Sequence, residues 1–288
     1  MQSENKFFVI TGAASGIGRS LCLALKENKG VSIFAIDKDA IGLQQLGYLF
    51  STNTQVRFYS ETIDLSIQEE VYKVAAMILQ KLDNQQLILF NNAGANLISG
   101  LMKDTPMEGF DWIMRTNFWS MVYLTEKLLP YMIAQNQGSI VNVSSVFGLF
   151  GVKTSVPYCT TKFAVRGYSE SLRTELDNTN IHLCCVHPGG IQTAICANSK
   201  VLGDKVNEKT KERVVTSFNK QARTSPEKAA SLIMQAIENK QKRLLIGADA
   251  KLIDILVRIF PVKHQRIFQF ITKVFFKNSL SNIEEYYR

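Results

Sequence analysis

The sequence predicts a doubly wound α/β domain, a parallel sheet with helices on both faces. Short apolar runs alternate with longer helical patterns along most of the 288 residues. Those short runs are apolar without interruption, as strands covered on both faces must be. A glycine-rich turn at residues 11–18 joins the first run to the first helical pattern. Repeated βαβ units imply parallel pairing, right-handed crossovers and ligand binding beyond the carboxyl ends of the strands.

Taken in order, residues 6–11 read as a strand and 16–28 as a helix. Strand 31–36, helix 40–50 and strand 56–59 follow. The helix at 66–82 places Ile67, Val71, Val74, Ala75, Ile78 and Leu82 near the three-to-four spacing of one buried face. Strands 87–91, 139–143 and 182–187 continue the series, separated by helices near 111–134 and 157–178. Two segments depart from it. Residues 194–223, after the sixth strand, are polar with a helical pattern, and 251–277 are basic and apolar together. No internal repeat or Pro/Gly/Ser-rich linker divides the chain. We therefore expect one domain over 1–250, with 194–223 as a lid, and a helical extension at 251–288.

Hydrophobic residues make up 46% and charged residues 20%, which excludes a disordered or low-complexity chain. Lys and Arg outnumber Asp and Glu by 33 to 25, a net charge of +8 that favours acidic partners or simple solubility. Cys22, Cys159, Cys184, Cys185 and Cys196 form no CxxC pair and read as reduced thiols in a cytoplasmic setting. His182, His187 and His264 lie far apart, so no metal site is expected. The amino end shows no signal-peptide pattern, and no apolar run reaches the ~20 residues of a membrane span. No recognised nucleic-acid motif is present, so nucleic acid is not expected as a partner.

The turn reads Thr11-Gly12-Ala13-Ala14-Ser15-Gly16-Ile17-Gly18. Glycine lets the backbone turn tightly and approach a pyrophosphate, and the helix start offers that anion free N–H groups. Asp37 ends the second strand, 19 residues after Gly18. A carboxylate there accepts hydrogen bonds from the ribose hydroxyls of NAD and repels a 2′-phosphate. Lys38 beside it pulls the other way. The pair favours NAD(H) and leaves NADP(H) open.

Tyr158 and Lys162 stand four residues apart on a helical pattern and share a face. An ammonium beside a phenol favours the phenolate, moving it toward a useful acid/base range. Ser145 lies 13 residues before Tyr158, just after a strand, where its hydroxyl can hold a substrate oxygen. Ser144 competes for that role, but the 13-residue offset favours Ser145.

With these motifs assembled, the chain resembles the short-chain dehydrogenase/reductase family of the compact type. The matching elements are Thr11-Gly-x-x-x-Gly-Ile-Gly18, Asp64, Asn91-Asn92-Ala93-Gly94, Asn117, Ser145, Tyr158-x-x-x-Lys162 and Pro188-Gly189-x-x-x-Thr193. The resemblance implies Tyr158 as general acid or base, with Lys162 depressing its pKa and holding the nicotinamide ribose. It implies that Ser145 binds the reacting oxygen and that Asn117 holds a water linking Lys162 to solvent. Gly12, Ser15, Gly16, Ile17 and Gly18 would line the pyrophosphate, and Asp64 with Leu65 the adenine. Asn91, Ala93 and Gly94 would support the nicotinamide ribose, and Pro188, Gly189, Ile191 and Thr193 the nicotinamide end. A homo-oligomer through the two long central helices is also implied.

In such a fold the substrate loops follow the fourth, fifth and sixth strands. Leu97, Phe147, Leu149, Val152 and Gly190 line them with few charges, which suits an apolar alcohol or carbonyl compound. Residues 200–223 carry seven Lys/Arg against three Asp/Glu, the pattern of a solvated outer lid. In 251–277 six Lys/Arg are interleaved with apolar side chains and Asp254 is the one acid. That segment fits packing on the fold, packing on a second subunit, or contact with a membrane surface. The leading expectation is an NAD(P)-dependent oxidoreductase. The alternatives are a cofactor-binding regulatory or structural protein whose site is unused, and a lipid-directed reductase at a membrane surface.

Overall fold

A computed structural model describes residues 5–267. Seven strands form one parallel sheet: β1 (Lys6–Thr11), β2 (Val31–Asp37), β3 (Val56–Thr62), β4 (Gln86–Asn91), β6 (Gly138–Val143), β7 (Ile181–Pro188) and β9 (Arg243–Ile246). Their order is β3-β2-β1-β4-β6-β7-β9, so the chain reverses direction between β1 and β4 and a crevice opens above that point. Two short strands, β5 (Leu97–Ile98) and β8 (Lys200–Val201), pair with each other above the sheet.

The helices are α1 (Gly16–Ala24), α2 (Ala40–Phe50), α3 (Gln68–Lys81), α4 (Met107–Met114), α5 (Ser120–Gln135), α6 (Val156–Glu175), α7 (Glu208–Gln221), α8 (Pro226–Glu238) and α9 (Ala248–Ile259). Alternation along β1 shows why both faces must be covered. Phe8 and Ile10 point into a cluster with Leu21, Leu43, Leu46 and Ile233 from α1, α2 and α8. Phe7 and Val9 point into the opposite cluster, with Val71, Ile78, Leu124, Leu128 and Leu172 from α3, α5 and α6. All four strand side chains are fully buried, and truncating any one to alanine would cost about 3–5 kcal/mol for a Phe and somewhat less for Val or Ile.

The doubly wound expectation holds, with differences of detail. The helix expected at 16–28 ends at Ala24, and the helix expected at 111–134 is three segments. Between α4 and α5, Arg115–Trp119 forms a π-helical turn. β9 and α8 were not foreseen. The lid expected at 194–223 holds β8 and α7. The boundary expected at residue 251 falls inside α9, whose Ala250 and Ile253 share a small core with Val146, Leu149 and Phe150. Of the expected 251–288 extension, residues 268–288 lie outside the described residues.

Candidate active site

The turn after β1 exists because two of its residues lack a side chain. Gly12 and Gly16 have φ of +68° and +52°, the left-handed region that other residues enter at a cost. A Cβ on Gly12 would stand 2.9 Å from the Ala93 Cα, and one on Gly18 would overlap the Gly12 carbonyl oxygen. The turn is thus packed directly onto 92–93. Thr11 ties the two together: its Oγ1 accepts from the N–H groups of Asn92 at 3.0 Å and Ala93 at 2.9 Å while donating to the Phe90 carbonyl. Ser15 stands exposed at the start of α1 and makes no side-chain cap.

The Asp37 carboxylate reaches back into this turn and accepts from the Ala14 N–H at 2.9 Å through Oδ2. It therefore fixes the glycine turn, which the sequence did not suggest, while its Oδ1 accepts from the Asp39 N–H at 3.1 Å. Lys38 is exposed. Asp64 accepts from the Ser66 N–H and hydroxyl at 2.9 and 2.7 Å, and Leu65 is buried beside it. At the other side of the crevice β7 ends in Pro188, and the Gly189 N–H donates to the Ile246 carbonyl at 2.9 Å. Thr193 then lies over the first turn, where a Cβ on Gly16 would meet its Cγ2 at 3.0 Å. Ile191 is buried and bridges to Thr224.

Ser145 follows β6 and opens a single helical turn, its Oγ accepting from the Phe147 N–H at 3.1 Å. It shares a side-chain hydrogen bond with Tyr158, in the first turn of α6. Ser144 is committed elsewhere: it is buried and donates to the Lys162 carbonyl at 2.8 Å. Of the two serines it is Ser145 whose hydroxyl reaches Tyr158. Lys162, one turn beyond Tyr158, is buried, with Nζ donating to the Val143 carbonyl at 3.0 Å and lying 5.8 Å from the Tyr158 ring centroid.

Burial sets the electrostatics. It pulls the Lys162 ammonium down to about 8, with Cys185 opposing weakly. It pushes the Tyr158 phenol above its ordinary value, the Ser145 hydrogen bond pulling it back and Cys196 and Cys159 adding to the rise. The expected depression of Tyr158 is therefore not what the protein's own groups produce: loss of water raises it, and Ser145 is the group that pulls it back.

Asn117 sits in the π-helical turn, buried. Its Nδ2 donates to the Ala95 carbonyl at 3.0 Å and to Thr161 Oγ1 at 3.1 Å, and its Oδ1 accepts from the Ala95 N–H at 2.7 Å. Both amide hydrogens are spent on protein, so the side chain has no donor left for water. Asn91 lies beneath, its Nδ2 donating to Thr125 Oγ1 at 3.1 Å and to Asn142 Oδ1 at 2.8 Å. Gly94 leaves room above Lys162: a Cβ there would stand 3.3 Å from Nζ.

The expected substrate residues divide. Phe147 meets Tyr158 edge to face, ring centroids 6.0 Å apart. Leu149 packs downward into the small core under α9, and Val152 lies against that core. Leu97 is buried in β5 against Gly109 of α4. The Gly190 N–H donates to Asp249 Oδ2 at 2.7 Å.

Three further residues support the site. Asp249 packs so closely on Gly189 that a Cβ there would overlap its carboxylate. His187, fully buried in β7, contacts the Ser145 carbonyl through Nδ1 at 3.1 Å. Cys196, in the loop after β7, is close enough to Tyr158 to act on it electrostatically. Among the described residues, no group of three His, Cys, Asp or Glu side chains is placed to hold a metal ion, and no helix is long and apolar enough to cross a membrane.

Comparison with known proteins agrees with this geometry. A family profile described as short chain dehydrogenase matches residues 6–201. A Mycobacterium tuberculosis protein, SadH, is 36% identical over 268 residues, 92% of this chain and 94% of its own length. Dehydrogenase/reductase SDR family member 7B of Xenopus tropicalis is 32% identical over 252 residues, 85% of this chain and 78% of that protein. A crystal structure of a short chain dehydrogenase/reductase from Burkholderia phymatum in complex with NAD superimposes with a TM-score of 0.80 at 21% identity, covering 90% and 95% of the two chains.

Proposed function

The chain belongs to the short-chain dehydrogenase family of oxidoreductases, and on that basis we propose that it interconverts an apolar alcohol and its carbonyl compound using a nicotinamide dinucleotide. The observation that carries the reading is the convergence of Tyr158, Ser145 and buried Lys162 at one end of the crevice. The glycine turn, with φ of +68° and +52° and no Cβ to fill its cradle, stands at the other. A dinucleotide would lie between them. Gly12, Gly16 and the start of α1 would hold its pyrophosphate, and Lys162 beneath Gly94 its nicotinamide ribose. When bound, the nicotinamide supplies or accepts the hydride.

The chain's own groups handle the proton. The Ser145 hydroxyl holds the substrate oxygen, and the Tyr158 phenol delivers a proton to it in reduction or removes one in oxidation. Burial keeps the phenol protonated in the resting site, and its proton leaves only as the substrate oxygen gains negative charge. Lys162 favours the phenolate that remains, and its own pKa near 8 lets it pass a proton on near neutral pH. Since the Asn117 amide hydrogens are spent on Ala95 and Thr161, a water in this relay would donate to a carbonyl oxygen of Asn117, Oδ1 or main chain, rather than accept from its amide.

Asp37, at the end of β2, would favour NAD(H) by accepting from the ribose hydroxyls, with Lys38 the group through which NADP(H) would be accepted. Phe147 and the apolar residues around it favour a substrate with a hydrophobic body. Exposed Trp119 and Phe163, on the helices expected to pair between subunits, support a homo-oligomer.

The test is nicotinamide absorbance against a panel of steroid, retinoid, fatty and aromatic alcohols with each dinucleotide, run beside Tyr158→Phe. We expect turnover to fall by about 100-fold or more in the variant while dinucleotide binding is retained. Undiminished turnover in Tyr158→Phe would overturn the assignment.

A further inference from the structure

The last described helix has two apolar faces. Its inner face, Ala250, Ile253 and Val257, packs on Val146, Leu149 and Phe150. The outer face is uncovered: Leu252 is 61% exposed, Ile255 54%, Ile259 63%, and Val262 just beyond 84%. Leu252, Ile255 and Ile259 follow the three-to-four spacing of one helical side. Exposed Lys251 and Arg258 run along the same side. After a turn at 261–263 the chain re-enters helix at His264, adding exposed Lys263 and Arg266.

Among the described residues Arg258 alone of these cations is offset by an acid; Lys251, Lys263 and Arg266 pair with none. Asp254 is turned inward, where its carboxylate accepts from Arg243 at 3.1 Å and pairs with Arg258 at 3.0 Å. Asp249 is engaged with the Gly190 N–H. From residue 255 to 283 the sequence contains no Asp or Glu, and it continues beyond the described residues with Phe268, Phe270, Ile271, Lys273, Val274, Phe275, Phe276 and Lys277.

We propose that this face of α9, with the basic turn that follows it, docks on an anionic lipid surface. A row of aliphatic side chains edged by cations is what an anionic bilayer interface accepts, the chains entering the acyl boundary and the cations meeting the headgroups. A second copy fits less well. A two-fold contact places the same patch against itself, and would bring Lys251, Lys263 and Arg266 of both copies together with no acid between them.

The placement has a use. The outer face is the back of the helix that supports the 146–152 loop, so docking sets the mouth beside Tyr158 close to the lipid. The inference goes beyond the proposed oxidoreductase activity, because lipid binding can be present or absent whatever the site turns over.

The test is flotation of the full chain with phosphatidylcholine vesicles and with the same vesicles carrying about one quarter phosphatidylserine, beside Ile255→Ser/Ile259→Ser and Lys251→Glu/Lys263→Glu. Both double variants change exposed side chains only, so an unchanged thermal transition is expected. The wild-type chain should float with the phosphatidylserine vesicles and release at high salt. The serine pair should lower partitioning on the order of ten-fold or more, and the charge pair roughly 25-fold or more, at about five-fold per cation removed. Absence of flotation with either vesicle, or equal flotation of the serine pair, would overturn the proposal. So would a concentration-dependent dimer that the serine pair dissolves while vesicles capture nothing, which would assign the face to a second copy.

Discussion

His187 carries a pH dependence whose size follows from its surroundings. The imidazole is fully buried in β7, and burial pulls its pKa down to about 4. The Ser145 carbonyl and Asp254 oppose that shift, while the guanidiniums of Arg243 and Arg166 add to it. In the unfolded chain the ring titrates near about 6.5. Between these values the unfolded chain binds a proton that the folded chain refuses, so stability is full above about pH 6.5 and falls as pH drops toward 4. The limiting loss is about 3 kcal/mol, of which about 2 kcal/mol has gone by pH 5.

His187→Asn isolates this contribution, because the amide nitrogen of Asn can stand where Nδ1 stands and donate to the Ser145 carbonyl without titrating. The assay is thermal unfolding of both proteins at about pH 7.5 and about pH 5. Other groups titrate equally in both, so the difference of differences reports His187 alone. The wild type should lose about 2 kcal/mol more than the variant, a shift of roughly 4 °C in Tm. Parallel pH profiles would refute the buried neutral imidazole. Destabilisation of the variant by the same amount at both pH values would show that His187 matters for packing only.

Other expectations are simpler to state. Gly18→Ala places a methyl group on the Gly12 carbonyl, and should abolish dinucleotide binding measured by fluorescence titration. Asp37→Ala removes the acceptor of the Ala14 N–H and the negative charge at the end of β2; NAD affinity should fall by about ten-fold or more, with NADP affected less. Burial raises the Asp254 carboxyl, but Arg243 and Arg258 together hold it below its ordinary value. Asp254→Asn should therefore cost on the order of 1–3 kcal/mol above the unfolded carboxyl pKa. That penalty should shrink as pH falls through the folded one, read by denaturant unfolding.

The sheet, and the grouping of the candidate catalytic residues, were legible in the sequence for physical reasons. Doubly covered strands are continuous apolar runs, and β1 is one. A turn that requires φ of +68° and +52° must use glycine, so Gly12 and Gly16 are visible as letters. Tyr158 and Lys162 meet because a helix brings residues four apart onto one side. What was hidden depends on contacts or hydrogen-bond patterns that leave no mark on composition. The π-helical turn at Asn117 changes which carbonyl each N–H meets, with no residue type required, and so it read as continuous helix. Strand β9 is four residues at a sheet edge flanked by Lys240 and Lys242, too short for periodicity to separate from a helix end. His187 and Asp249 act on partners 42 and 59 residues away, a distance no local pattern spans. The pKa of Tyr158 is likewise a property of burial, which only the assembled fold decides.

The position of α9 bears on how the protein comes to be folded. Its inner face supports the loop after β6, and its Asp249 holds the glycine pair after β7. Five strands, β1, β2, β3, β4 and β6, can pair as they leave the ribosome, since each one after β1 has a sheet neighbour among earlier residues. The loop carrying Ser145 gains its support only when residues 248–259 emerge, about a hundred residues later. During that interval the chain has a sheet without a finished crevice. A nascent chain stalled after β7 should resist proteolysis across β1–β6 and still be cut between 144 and 155, and that cleavage should stop once α9 is released.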